Sequence, residues 1–162
     1  MSTATNVEAT AVNTISWLSA SETTIVVPVY QRQYRWDIGG CEQLLGDVRA
    51  VAAADDAHTH FIGSILSTAS THGDDDAHLV LIDGQQRITT LMLLVAALHH
   101  SLKGRDAALA AELERVLVRA EDAGRTKLRP HRAWADVFES VVLDRRAPED
   151  AQRESRFDDN YA

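Results

Sequence analysis

The amino-acid sequence predicts an α/β (α+β) fold with a small mixed sheet, a central buried helix and additional helices towards the C-terminus. The first observation is an apolar run of strand type at residues 79–82, which breaks at Asp83-Gly84 and passes directly into a helix. The second is that this helix, from about residue 86 to residue 103, is apolar almost all round, which is typical of the centre of a domain. The third is a set of periodic apolar segments on either side of it.

The N-terminal segment predicts a lead-in, a short apolar turn and one strand. Residues 1–14 are polar and are expected to be disordered. Ile15, Trp17 and Leu18 are expected to form a short apolar turn that docks on the core. Residues 24–29 are β-branched and apolar, which is the composition of a strand.

The segment between the first strand and the central helix predicts one helix and a hairpin. Asp37 is a candidate N-cap for a helix over residues 38–54. Cys41 lies on the apolar face of that helix and is expected to be a packed hydrophobic residue rather than a nucleophile. Residues 61–69 and 78–82 predict two strands that pair with each other.

After the central helix the pattern predicts two further helices and a charged C-terminal segment. Asp106 is a candidate cap for a helix that ends at about Ala123. The residues expected to face inward from it are Leu109, Leu113, Val116, Leu117 and Ala120. After residues 127–130, a third helix is expected, with an apolar face formed by Trp134, Val137, Phe138 and Val141. Residues 145–162 are expected to be a mobile loop or a truncated next element, so the domain is placed at residues 15–144.

The composition restricts the class of protein. The chain has 162 residues and a formal net charge of −8, which fits a soluble domain and argues against a protein that coats nucleic acid. No apolar run approaches the roughly 20 residues that span a bilayer, and no signal peptide is visible. The single cysteine, Cys41, excludes an internal disulfide and is consistent with a reducing cytoplasm. The histidines show no zinc-site spacing, and there is no Walker-type loop.

Polar side chains are concentrated where the strand at residues 79–82 meets the central helix. A buried strand, a glycine corner and a polar helix N-terminus are a common arrangement for holding an anionic ligand. Asp83 can hold a divalent metal or orient water, and Arg87 has the forked guanidinium that binds phosphate. Gly84 allows close approach to the backbone, and the amide groups of Gln85 and Gln86 can position water. The hydroxyl groups of Thr89 and Thr90 can reach a phosphate.

Residue types alone leave a second interpretation of this corner open. In it Asp83 caps the helix, and the two glutamines and Arg87 are merely the solvated start of the helix.

A second polar stretch, residues 30–36, interleaves aromatic rings with amide and guanidinium groups. Aromatic rings stack on bases and arginines neutralise phosphates. The alternative is an edge strand with Tyr34 and Trp36 in the core. Both interpretations can hold for different residues, because strand alternation separates the stretch into two faces. These faces are Tyr30, Arg32, Tyr34 and Trp36 on one side and Gln31, Gln33 and Arg35 on the other.

These two stretches resemble the DUF262 family, the N-terminal domain of modification-dependent restriction and phage-defence proteins. The resemblance rests on residues 27–36, 61–65, 83–91 and 128–130 and covers most of residues 15–162. Its most specific part is the string Asp-Gly-Gln-Gln-Arg-x-Thr-Thr that begins at Asp83.

The resemblance implies a ParB/sulfiredoxin-like core with nucleoside triphosphatase activity at the Asp83 corner. The nucleotide would be GTP or ATP, with Mg²⁺ held by Asp83. The hydrolytic residues that the resemblance implies are Asp83, Gln85, Gln86 and Arg87. The residues implied to bind the nucleotide are Gly84, Thr89, Thr90, Arg32 and Arg35. Family members commonly continue into an HNH-type nuclease domain, which this sequence lacks and which is therefore an expected partner in a longer protein.

Within the family, the sequence resembles the phosphorothioate-sensing, SspE-type members, which implies recognition of sulfur-modified DNA coupled to NTP hydrolysis. A sulfur-bearing backbone is less strongly hydrated than a phosphate, so an apolar pocket with polar donors can discriminate it. The residues expected to sense the modification are Pro28, Val29, Tyr30, Gln31, Gln33 and Trp36. The leading hypothesis is an NTP-hydrolysing sensor domain of a bacterial, cytoplasmic phage-defence protein. The alternatives are a non-catalytic module that binds modified DNA and a purely structural or partner-binding domain.

Overall fold

A four-stranded sheet and five helices make up the part of the chain that the computed structural model describes, which is residues 7–20, 24–28, 34–54, 60–70, 78–130 and 134–144. In chain order the elements are α1 (Thr14–Ala20), β1 (Thr24–Val26), α2 (Ile38–Ala53), β2 (Leu66–Ser70), β3 (His78–Asp83), α3 (Gln85–Leu102), α4 (Ala107–Leu117), β4 (Leu128–Arg129) and α5 (Ala135–Val142).

The predicted α+β class with a small mixed sheet is confirmed. The finer similarity to a ParB/sulfiredoxin core and the domain bounds stay predictions. The predictions for residues 1–6 and 145–162 lie outside the described residues. So do those for Val29, Tyr30, Gln31, Arg32 and Gln33.

The sheet has the order β2-β3-β1-β4, and β1 pairs in parallel with both of its neighbours. β2 and β3 are antiparallel, which confirms the predicted hairpin. Because β3, β1 and β4 run in one direction, their carboxyl ends lie at the same edge of the sheet. The Asp83 corner and the segment that follows β1 therefore emerge at one edge, which is where ligands commonly bind in such sheets.

Helix α3 lies at the centre of the core, as its apolar composition predicts. Its buried residues are Ile88, Thr89, Thr90, Leu91, Met92, Leu93, Val95, Ala96 and His99. Fully buried side chains from the sheet and from α1, α4 and α5 pack in the same cluster, and they are Leu18, Ile25, Leu81, Val116, Leu117, Leu128, Phe138 and Val142. Burial of one such large side chain contributes about 1.5–3 kcal/mol. The N-terminus of α3 is therefore anchored to this core cluster.

A buried lysine joins two helix ends. Lys127 is 2% exposed, and its Nζ donates to Leu18 O at 2.6 Å and to Arg115 O at 2.9 Å. These carbonyls lie in the last turns of α1 and α4, where the helix dipole favours a cation. Burial lowers the pKa of Lys127. Nothing in the sequence pattern indicated this contact.

Residues 61–65 do not belong to a strand, so the predicted strand over residues 61–69 is wrong in its first half. β2 begins at Leu66. Gly63 has a φ of +103°, a left-handed conformation that a regular strand does not use. Phe61 is 81% exposed, so the apolar residues that suggested a buried strand do not all enter the core.

The helix capped by Asp106 ends at Leu117 instead of at about Ala123. Val118 pairs with Thr126, and the Lys127 N–H donates to Leu117 O at 2.8 Å. The chain thus reverses early and returns to the sheet. Leu128 and Arg129, which were expected to lie in the connection to the last helix, form β4 beside β1 instead.

Some apolar residues expected on buried helix faces are exposed. Leu98 is 44% exposed and Leu109 is 41% exposed, and Ala120 also lies on the surface. Helix α4 contacts α1 and α3 along the stripe that contains Ala110 and Leu117, and Leu109 lies to the side of this stripe. In α2 only Leu44 is buried, because this helix lies outside the main core cluster.

Candidate functional site

The candidate site is the corner where β3 ends and α3 begins. Asp83 is the exposed last residue of β3, and its Oδ1 accepts a hydrogen bond from the Gly84 N–H at 2.8 Å. Gly84 has a φ of +88°. A Cβ at this position would lie 3.1 Å from Cγ1 of Ile65 and 3.4 Å from the carbonyl oxygen of Ser64. Glycine is therefore required here for its backbone conformation and for space.

No side chain among the described residues caps the N-terminus of α3. Gly84 is the N-cap residue, and the Asp83 carboxylate bonds to Gly84 instead of to the first turn. The interpretation in which Asp83 caps the helix is therefore wrong. The first N–H groups of a helix have no acceptor within the helix, and the helix dipole favours negative charge at this end. This end of α3 can consequently receive an anion.

Gln85 places a buried acceptor at the same helix end. Its Oε1 is buried and has no hydrogen-bond partner among the residues that the structure describes. A buried polar atom without a partner costs about 1–3 kcal/mol. A ligand or water that donates a hydrogen bond to this oxygen would recover that cost.

The guanidinium group of Arg87 lies against the backbone that precedes β2. Its Nη1 donates to Ser64 O at 2.8 Å, and the group fills the space that a Cβ on Gly63 would take. A guanidinium has five N–H donors. After one bond to Ser64, Arg87 retains donors for an anion.

Thr89 and Thr90 support the first turn of α3 from inside. Both residues are 4% exposed. Thr89 Oγ1 donates to Gln85 O at 2.8 Å, and Thr90 Oγ1 donates to Gln86 O at 2.9 Å. Their hydroxyl protons are thus used within the helix, and their contact with a nucleotide stays a prediction.

The two polar stretches singled out in the sequence meet at this helix end. Oη of Tyr34 lies 2.8 Å from Oγ1 of Thr90, and the Arg35 N–H donates to Oε1 of Gln86 at 2.8 Å. Because the Thr90 proton is donated to Gln86 O, Tyr34 is the donor in its bond to Thr90. Sγ of Cys41, a half-buried free thiol, lies 3.7 Å from the same Tyr34 oxygen.

The other described residues of the second stretch lie around this contact. The Arg35 side chain is exposed, and Trp36 is half-buried. A Cβ on Gly40, in the first turn of α2, would lie 3.4 Å from the Trp36 ring. Residues 34–37 form no strand, so the edge-strand interpretation is wrong for them in its secondary structure. Its placement of Tyr34 against the core is confirmed. Pro28 is half-buried just after β1.

A family model for the N-terminal domain of the GmrSD restriction endonuclease matches residues 15–162. The chain belongs to this family. The match confirms the predicted membership in the DUF262 type of domain and makes the chain an N-terminal module of a phage-defence restriction protein. A comparison with curated proteins gave no match. In the described part of this GmrSD-type domain, every helix is too short or too polar to cross a membrane.

No ready-made metal centre is formed by the described residues of this GmrSD-type domain. None of their His, Cys, Asp and Glu side chains come together in a group of three or more. The corner instead offers Asp83, a single exposed carboxylate. This donor set fits Mg²⁺, which is commonly bound through one or two carboxylates together with phosphate oxygens and water.

Sequence reasoning missed Gly63 and Ser64, which hold Arg87. The available signal was a Gly-Ser pair inside an otherwise apolar run, because a glycine within a strand pattern indicates a bulge or a close backbone approach. The partner of that close approach, Arg87, was not visible in the sequence.

Proposed function

We propose that this chain is an NTP-hydrolysing sensor domain of a phage-defence protein. In this proposal it recognises modified DNA, first of all phosphorothioate DNA, and it controls a nuclease domain. The nucleotide, GTP or ATP, would bind at the N-terminus of α3. The observation that carries the proposal is the buried Gln85 Oε1, which has no partner among the described residues. It belongs to an uncapped helix end that also carries Asp83 and Arg87.

The charges at the corner favour a nucleotide with its metal ion over a bare anion. Arg87 and the helix end attract a phosphate, whereas the exposed Asp83 carboxylate repels it. Mg²⁺, when bound, would neutralise phosphate charge, and Asp83 is the residue that would hold it. The net charge of −8 also disfavours long contacts with DNA phosphates more than it disfavours one compact ligand.

The side chains of the corner have separate tasks in this proposal. Gln85 Oε1 accepts a hydrogen bond from the water that attacks the terminal phosphorus, and Arg87 stabilises the charge as the bond to the diphosphate breaks. Gln86 is a positioning residue, because its Oε1 already accepts from the backbone of Arg35. The side chains of Arg35 and Arg32 would neutralise the remaining phosphate charge.

The sensing segment in this proposal contains Pro28, Val29, Tyr30, Gln31, Gln33 and Trp36. These residues follow β1 in the chain and lie on either side of Tyr34, whose hydroxyl bonds to Thr90 at 2.8 Å. The Arg35 N–H bond to Gln86 gives a second connection. A change in the segment on DNA binding would therefore reach the first turn of α3 through two hydrogen bonds, which supports coupling between DNA recognition and nucleotide hydrolysis.

The test is phosphate release from GTP and ATP in the presence of Mg²⁺. Asp83→Asn keeps an oxygen for the Gly84 N–H but removes the charge, and Arg87→Ala removes the phosphate donors. Each is expected to lower turnover about a hundredfold or more. Asp106→Asn is the matched control, since it neutralises an aspartate at the start of another helix and asparagine still caps. Equal turnover in all four proteins would overturn the hydrolytic function of this chain.

The exposed Arg35 beside the half-buried Trp36 favours a second candidate, a module that binds modified DNA without hydrolysing nucleotide. Here phosphate release would stay at background in every variant, while Arg87→Ala would weaken DNA binding and reduce the salt slope by about one phosphate contact. Phosphate release therefore distinguishes the candidates. Binding of modified and unmodified DNA, measured across salt concentration for the wild type and for Tyr30→Ala and Gln31→Ala, tests the sensing residues that both candidates share. Unchanged discrimination in both variants would remove the sensing role of those residues.

A further inference from the structure

We propose that Gly63 and Ser64 form a cradle that directs the guanidinium group of Arg87 towards the terminal phosphate. The two residues would be positioning residues for the site, since they act through Arg87. This inference rests on the proposed function, because it assigns a phosphate to Arg87. It adds to the site a segment that is distant in sequence, because Ser64 and Arg87 are 23 residues apart.

The contact involves the charged head of Arg87 and not its aliphatic stem. The three atoms nearest to a Cβ built on Gly63 are Nη1, Cζ and Nε of Arg87, of which Nε lies at 3.3 Å and the other two overlap the Cβ. Nη1 also donates to Ser64 O at 2.8 Å. The guanidinium therefore occupies space that exists only because residue 63 has no side chain.

The same segment contacts the other side of the corner. A Cβ on Gly84 would lie 3.1 Å from Cγ1 of Ile65 and 3.4 Å from Ser64 O. Residues 63–65 thus touch both Arg87 and Gly84, which lie on either side of the two glutamines. Arg87 is consequently held at a defined place relative to the helix end, before any ligand arrives.

Holding an arginine in advance has a physical benefit for binding. A free arginine has many rotamers and loses them when it binds a phosphate, whereas an arginine that is already oriented loses fewer. Ser64 O accepts a hydrogen bond from Nη1, which is one of the five N–H donors of the guanidinium. The cradle therefore pre-organises the group that contacts the phosphate.

Gly63 has a φ of +103°, so its replacement disturbs the backbone whatever Arg87 does. Gly104 provides the matched control. It has a φ of +81°, but no atom lies within 4 Å of the position that a Cβ on Gly104 would take. Gly104→Ala therefore measures backbone strain alone, whereas Gly63→Ala adds displacement of the guanidinium.

The experiment is a double-mutant cycle with Gly63→Ala, Arg87→Lys and the combination of both, with Gly104→Ala as the control. Affinity for a non-hydrolysable GTP or ATP analogue with Mg²⁺ is measured by calorimetry, and urea unfolding is measured for each protein. Gly63→Ala is expected to weaken nucleotide binding about tenfold to a hundredfold, whereas Gly104→Ala leaves it unchanged. In the Arg87→Lys background the further loss from Gly63→Ala is expected to be below about threefold, because the slim lysine head leaves the space free.

Equal losses of affinity from Gly63→Ala in the two backgrounds would overturn the cradle and leave Gly63 with a purely structural role. Absence of nucleotide binding by the wild type would overturn the proposed function instead. In that case the same cycle is read from urea unfolding. Additive effects of Gly63→Ala and Arg87→Lys on unfolding would then show that Gly63 does not act through Arg87, and non-additive effects would support the contact.

Discussion

Helices α2 and α4 begin with a capped turn, whereas α3 begins with an open one, although an aspartate lies at the start of each. Asp37 Oδ1 accepts from the Gly40 N–H at 3.0 Å, and Asp106 Oδ1 accepts from the Leu109 N–H at 3.0 Å. In α3 the aspartate lies one residue earlier, because Gly84 is the N-cap, and its carboxylate bonds to the Gly84 N–H. A shift of one residue thus converts a helix cap into an exposed carboxylate beside an open helix end.

The comparison separates stability from function. An N-cap aspartate stabilises its helix by about 1 kcal/mol and satisfies donors that an anion would otherwise bind. Helix α3 can lack this cap because nine of its residues are buried and packing supplies its stability. Its open end, together with the Arg87 contact and the buried Gln85 oxygen, is therefore the ligand site that we propose.

The largest expected effect on stability comes from substitution of Gly84, the N-cap residue of α3. Gly84→Ala combines left-handed strain with close contact to Ile65 and Ser64, so it should lower the free energy of unfolding by about 2–4 kcal/mol. Gly104→Ala has the strain without the contact and should cost about 1–2 kcal/mol. Urea denaturation measures both values. Equal losses of unfolding free energy in Gly84→Ala and Gly104→Ala would mean that residues 60–65 do not pack against the corner.

The next effect tests the difference between capping and non-capping aspartates. Asp37→Ala and Asp106→Ala should each lower the free energy of unfolding by about 1 kcal/mol, and Asp106→Ala should leave phosphate release unchanged. Asp83→Ala removes a negative charge near a helix N-terminus and also the acceptor of the Gly84 N–H. It should therefore cost about 1 kcal/mol as well, but it should abolish phosphate release. Phosphate release from Asp83→Ala at the rate of Asp106→Ala would contradict the assignment of Asp83 to the site.

The smallest effect is expected at the C-terminal end of α3. Burial lowers the pKa of His100 below its ordinary value of 6.5, helped by His99 and Lys103 and opposed by Asp144 and the Val142 backbone. The unfolded chain therefore binds a proton at His100 at pH values where the folded chain does not. The free energy of unfolding consequently decreases as the pH falls below about 6.5.

Urea denaturation of the wild type and of His100→Gln, between about pH 5 and pH 8, checks this dependence. The wild type should gain stability relative to His100→Gln as the pH rises through the lowered pKa to 6.5, with no further relative change above it. Parallel profiles for the two proteins would show that His100 does not contribute.

Local patterns were sufficient for the caps, the hairpin and the central helix. Asp37 and Asp106 were predicted as caps because the bond joins residues that are three positions apart. Helix α3 was predicted to within one residue at its start, because its apolar composition is a property of consecutive residues. The early end of α4 and the formation of β4 were missed, because they depend on pairing with β1, which is distant in sequence.

At the candidate site, too, some features were predictable from neighbouring residues and others were not. The polar residue types from Asp83 to Thr90 were visible in the sequence, and so was the resemblance that the family match bears out. The strand predicted over residues 61–65 was wrong because Gly63 adopts a left-handed conformation beside Arg87. Periodicity of apolar residues does not report a contact with a charged group elsewhere in the chain.

The sequence by itself determined the order of most elements, the burial of α3 and the chemistry available at its N-terminus, because these follow from neighbouring residues. Only the tertiary structure decided that Asp83 does not cap the helix, that Gln85 Oε1 is buried without a partner among the described residues, and that Ser64 O holds Arg87. These features depend on where distant backbone segments meet. Hydrogen bonds and exclusion of volume act between atoms in space, whereas sequence patterns describe only residues that are close along the chain.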